Sequence, residues 1–79
     1  MSFGKRIRDA REDKELTQLQ LARKLNVTRV TIVSWEKGDS EPRLSNLKSL
    51  AIVLDKPVTY FLAVPNDFLA GSTKPVNGN

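Results

Sequence analysis

A chain of 79 residues with thirteen Lys and Arg against nine Asp and Glu, a net charge of +4, has room for one small hydrophobic core and a surface that permits an anionic partner without specifying one. With no Cys and no His, it can build no disulfide, no thiolate or imidazole metal site, no thiol nucleophile and no histidine acid or base. Most catalytic constellations are thereby excluded, and no cofactor or metal is expected.

The longest apolar run, residues 50–54, is far short of the roughly twenty residues that a membrane span needs. Lys5, Arg6, Arg8 and Arg11 stand where a signal peptide would be apolar. A cytoplasmic protein is expected.

Ser2 is placed to cap a first helix in which Phe3, Ile7 and Ala10 recur at helical spacing, ending near Lys14. Thr17 followed by Gln20 is a capping-box signal, since the threonine hydroxyl accepts from the Gln20 amide while the glutamine side chain reaches back. The second helix then turns Leu21, Ala22 and Leu25 inward, and Asn26 supplies a residue that tolerates the left-handed conformation of a sharp turn. Thr28 caps a third helix carrying Ile32 and Trp35, with Lys37 and Gly38 as its stop.

Gly38 to Pro42 reads as a loop on its turn residues. Ser45 is expected to cap a fourth helix with the stripe Leu47, Leu50, Ala51 and Leu54. Pro57 begins a short fifth helix that offers Val58, Phe61 and Leu62 to the same core. The expected fold is all-α, five short helices in one domain over 1–69, followed by a flexible tail or linker start over 70–79.

The charge is unevenly spread. Residues 17–38 hold four basic residues, Arg23, Lys24, Arg29 and Lys37, against the single acidic Glu36. Three of the four net charges therefore fall on the second and third helices. The spacing there is that of a helix-turn-helix, with small Ala22 allowing a close crossing and Leu21, Leu25, Val27, Ile32 and Trp35 filling the angle. Arg29, Val30, Val33 and Ser34 are left facing outward. Two outward valines are unusual where every apolar side chain is needed inside, and contact with thymine methyl groups would account for them; the alternative is packing against a neighbouring helix, more so for Val33.

From Leu16 to Gly38, LTQLQLARKLNVTRVTIVSWEKG, the chain resembles the helix-turn-helix family of the lambdoid-phage repressors and Cro proteins. The following EPRLSNLKSLAIVLDKPVTYFL is similar to that family's fourth and fifth helices, and with the first helix the likeness covers about residues 3–62. Gln18, Ala22, Thr28, Ile32, Trp35, Glu36 and Gly38 stand in register, while Asn26 departs from the usual glycine.

The resemblance implies a sequence-specific regulator, a phage or prophage type of repressor acting by operator occupancy, whose third helix enters the major groove of double-stranded DNA. By position it assigns base reading to Arg29, Val30 and Ser34, with Thr28 and Val33 as secondary candidates, and phosphate contact to Gln18 and Lys37. Arg43 joins the phosphate set on charge and location. Arg11 and Glu36 are implied to form a structural ion pair between the first and third helices.

Because one helix reads only a few base pairs, a homodimer on a pseudo-palindromic operator is expected, with the surface around Pro57, Tyr60 and Phe61 as the dimer contact. Tyr60 has an equally good reading as core. A helix-turn-helix used for protein contact, as in an antitoxin or coactivator module, is the competing class, and Arg29 beside Val30, a pair suited to base edges, discriminates against it.

Overall fold

The computed structural model describes residues 3–62. Ser2 and the expected domain boundary after residue 69 lie outside the described residues. α1 spans Phe3–Asp13 and turns Gly4, Ile7 and Ala10 into the protein, one helical turn apart. It ends where Glu15 takes a left-handed φ of 57°. There the Leu16 amide donates to the Arg11 carbonyl at 3.1 Å, satisfying one of the helix's orphan acceptors.

α2, Gln18–Leu25, opens on the expected capping box. The Gln20 amide donates to Thr17 Oγ1 at 3.0 Å, and the Thr17 amide donates to Gln20 Oε1 at 2.8 Å. It closes on Asn26 at φ 59°, ψ 42°, where Val27 N–H reaches back to the Ala22 carbonyl. Asparagine thus does the work expected of it in the turn between the two helices.

α3, Arg29–Lys37, is capped by Thr28, whose Oγ1 accepts from the Thr31 amide at 3.2 Å. It stops at Gly38, φ 84°, a conformation that disfavours any side chain.

α4 spans Leu44–Leu54, and here the structure corrects the expected cap. The N-cap is Arg43, which makes no side-chain bond, and Ser45 lies inside the first turn. The helix starts earlier because the Arg43 carbonyl already accepts from Leu47 N–H at 2.8 Å. Asp55 ends α4 with a φ of 56°. α5, Val58–Leu62, follows Pro57, whose carbonyl accepts from the Tyr60 amide.

Described residues 3–62 contain five helices and no strand. α1 packs on α3 and α5, α2 on α3 and α4, and α4 on α5. The core is Ile7, Ala10, Leu21, Ala22, Ile32, Trp35, Leu47, Leu50, Leu54 and Phe61, with Leu25, Val27, Ala51, Val58 and Tyr60 half-buried around it. No polar or charged residue among those described is buried along its whole length, although the Glu36 side chain is nearly so.

Gly4 marks the closest approach of two elements. A Cβ built there would fall well inside van der Waals contact with the main-chain carbonyl oxygens of Trp35 and Glu36. Only glycine lets α1 lie this close to the last turn of α3.

Candidate nucleic-acid interface

Ile32 and Trp35 fasten α3 to the core and so decide which of its faces remains outside. Of the residues expected to read bases, Arg29 is exposed and Val30 is 76% exposed, next to each other in the first turn. Val33 and Ser34 are half-buried, and Val33 is not among the apolar residues packed against the core. Thr28 is exposed, with its Oγ1 2.9 Å from Thr31 Oγ1 as well as capping the helix.

Ser34 Oγ lies 2.7 Å from Ser40 Oγ. Sequence reasoning missed this pairing. The Gly38 turn, closed by Asp39 N–H on the Ser34 carbonyl at 2.9 Å, folds the loop back and brings the two hydroxyls together.

The residues expected at phosphates are less uniform. Lys37 and Arg43 are exposed, at the end of α3 and the N-cap of α4. Gln18 is half-buried and already engaged, donating from Nε2 to Glu36 Oε1 at 3.1 Å. Its Oε1 lies 3.5 Å from Arg29 Nη2, a long contact. Arg11, Thr17, Gln18, Leu19 and Arg29 line an open depression at the start of α2. First-turn amides of a helix have no intrahelical acceptor and favour an anion.

Arg11 and Glu36 are brought together. Arg11 Nε donates to Glu36 Oε2 at 2.6 Å and Nη2 donates to Oε1 at 3.1 Å, a bidentate pair. The two side chains are only 11% and 5% exposed. Nη1 of the same guanidinium donates to the Leu16 carbonyl at 2.8 Å, tying the turn before α2 into the pair. The bonds that Arg11 donates to Glu36 hold the arginine proton more firmly than in a free side chain, outweighing the effect of burial. The one acidic residue of α3 is therefore neutralised internally, and the exposed charges of α2 and α3, Arg23, Lys24, Arg29 and Lys37, are all positive.

The expected dimer contact needs one correction. Phe61 is fully buried in the core, because α5 packs against both α1 and α4 and its one fully buried position is taken by this ring. Pro57 is exposed and Tyr60 half-buried. The Tyr60 ring carries the Arg6 guanidinium at 5.1 Å and the Lys56 ammonium at 5.2 Å, within cation–π range. The largest exposed apolar side chains on α4 are instead Ile52, at 81%, and Leu44, at 64%. Among the described residues, no helix is long and apolar enough to cross a membrane and no cluster suited to a metal ion occurs.

Comparison with known proteins places this geometry. The chain is 40% identical over 62 residues to the HTH-type transcriptional regulator DicA of Escherichia coli K12, covering 78% of this chain and 46% of that protein. It is 39% identical over 51 residues to the immunity repressor protein of Bacillus phage phi105, covering 65% of this chain and 35% of the other. It thus spans less than half the length of either relative.

The P22 c2 repressor, solved in complex with a synthetic operator, superposes with a TM-score of 0.76 at 32% identity, over 80% of this chain and 96% of that one. The helix-turn-helix family pattern matches residues 7–61. On these grounds, and on the two capped helices that cross at Asn26, the chain belongs to the helix-turn-helix family of transcriptional regulators and phage repressors.

Proposed function

We propose that this chain binds double-stranded DNA sequence-specifically and acts as a transcriptional repressor of phage or prophage type, occupying its operator as a homodimer in the cytoplasm. The observation that carries the reading is the first turn of α3, where Arg29 and a 76%-exposed Val30 stand side by side on a helix pinned from behind by Ile32 and Trp35. Arg29 pairs with guanine O6 and N7, Val30 covers a thymine methyl, and Thr28, Val33 and Ser34 contribute at the margins of the same face. Lys37, Arg43 and the start of α2 with Gln18 hold phosphates and set register.

Occupying an operator makes and breaks no covalent bond, so the function requires no enzymatic step, cofactor or metal. Residues 1–69 form the DNA-binding domain, and 70–79 its tail or the start of a linker. Pro57 and Tyr60 remain the proposed dimer contact, and Phe61 supports it from the core.

A mobility-shift selection from random-sequence duplexes, repeated at two salt concentrations, tests the reading. The expected result is enrichment of a two-fold-related site whose affinity falls steeply with salt. Failure to enrich any site, or affinity indifferent to salt, refutes it and favours a protein-contact module.

A further inference from the structure

Around Arg29 the outward face of α3 is poor in free polar groups. Val30 stands beside it, 76% exposed, and Val33 is half-buried one turn further on. The hydroxyls of the same segment already have partners inside the protein. Thr28 Oγ1 accepts from the Thr31 amide at 3.2 Å and lies 2.9 Å from Thr31 Oγ1, while Ser34 Oγ lies 2.7 Å from Ser40 Oγ. The Glu36 carboxylate is bonded to Arg11. What Arg29's neighbour offers a base edge is therefore a valine side chain, which has neither donor nor acceptor.

A pyrimidine shows two groups in the major groove. At C4 thymine carries an acceptor oxygen and cytosine a donor amino group, and at C5 thymine alone carries a methyl. Valine is blind to the first difference and responds to the second. A cytosine methylated at C5 presents the same methyl in the same place, so to Val30 it is equivalent to thymine. We infer that this face of α3 selects a C5-methylated pyrimidine and not thymine as such, and that its ligands include duplex DNA carrying 5-methylcytosine at the position under Val30. Arg29 does not oppose this, because the O6 and N7 atoms of guanine that it would meet are unchanged when a cytosine is methylated. Methylation of the operator then raises occupancy, with no change in the protein.

This preference rests on the proposed function, in which Val30 reads a base, and the experiment fails differently for the two. The site enriched by selection is rebuilt with thymine, uracil, 5-methylcytosine or cytosine, each opposite its complementary purine, at the position in one half-site whose preference Val30→Ala flattens. Comparing thymine with uracil, and 5-methylcytosine with cytosine, isolates the methyl group in each base-pair context. Binding of the full chain is expected to favour the methylated member of both pairs by about fourfold, the worth of one buried carbon group. 5-Methylcytosine is expected to bind within about fivefold of thymine, since a larger loss is what a polar contact to the C4 group would impose.

In Val30→Ala both methyl ratios are expected to fall to near one. The side chain is exposed, so the truncation leaves the fold intact, and a thermal melt checks that it does. Equal binding of thymine and uracil, or a methyl ratio that survives Val30→Ala, overturns the inference. So does 5-methylcytosine that binds no better than cytosine while thymine exceeds uracil: a polar group then reads C4, and the base-reading function stands. An enriched site in which no position depends on Val30 overturns the assignment of Val30 itself, and the methyl preference with it.

Discussion

Deleting the Glu36 carboxylate strands the Arg11 guanidinium in a site where its side chain is only 11% exposed. An uncompensated charge so placed costs about 3–5 kcal/mol, against under about 1 kcal/mol for a surface pair. Glu36→Ala is therefore expected to lower the thermal midpoint by well over ten degrees, and an unchanged melt would show that the pair is energetically a surface one. The pair's contribution holds steady through neutral pH. Its bonds to Glu36 raise Arg11's pKa above that of a free arginine, so the stabilisation is complete below the unfolded value and fades only as pH climbs through the still higher folded one.

On the exposed face the expectations are of a different kind. Arg29→Ala should lose about 1–3 kcal/mol with cognate DNA and relax one base position, whereas Lys37→Ala should weaken all sequences alike and reduce the salt slope by about one. Quantitative competition assays with cognate and random duplexes distinguish the two patterns. At this scale the sequence alone suggested which residues face out, because α3's buried positions follow from Ile32 and Trp35. It did not show that Gln18 is bonded to Glu36, since a residue at a helix start reads identically whether its amide faces solvent or a carboxylate at the far end of the next helix.

Among the elements, those with local signals were legible and those fixed by tertiary contact were not. Thr17 with Gln20, Thr28 and Asn26 are each satisfied by neighbours within five residues, so their roles could be read from spacing. Arg43 as a bare N-cap, and Glu15 and Asp55 in left-handed conformations, carry no such signature. There the packing of the helices on either side sets the boundary, and the residue accepts the strain.

Gly4 is the extreme case. Nothing around it in the chain demands a glycine, and the requirement comes from Trp35 and Glu36, more than thirty residues away. Gly4→Ala adds a methyl against two main-chain carbonyls that cannot swing aside, so α1 must shift from α3, which also strains the Arg11–Glu36 pair. The expected loss is at or above the roughly 1–3 kcal/mol typical of overpacking, despite alanine's better helix propensity. Gly38→Ala, with φ at 84° but open space around it, should cost only the conformational strain of about 1–2 kcal/mol. Chemical denaturation of both variants tests the order, and a Gly4→Ala protein as stable as the parent would mean that the α1–α3 approach is readily relaxed.

For the molecule as a whole, a bulk charge of +4 becomes informative once it is located: the exposed charges of α2 and α3 are all cationic because Arg11 cancels Glu36. Under the proposed function that surface reads only a few base pairs, each worth about 1–3 kcal/mol, so one copy would discriminate poorly and the proposed homodimer supplies the second. Such a homodimer makes a geometric demand. Two recognition helices related by a two-fold axis meet half-sites one helical turn, about 34 Å, apart on the same side of the duplex.

Inserting about five base pairs between the half-sites rotates one of them to the far side without altering any base that α3 touches. Affinity is expected to fall to that of an isolated half-site, while a further insertion of about five restores the facing though not the spacing. Sedimentation of the protein on the two operators provides the matching count, two protomers bound together on the first and one at a time on the second. Binding that ignores the insertion would mean that each domain acts alone on DNA and that the Pro57 and Tyr60 surface does not join two copies.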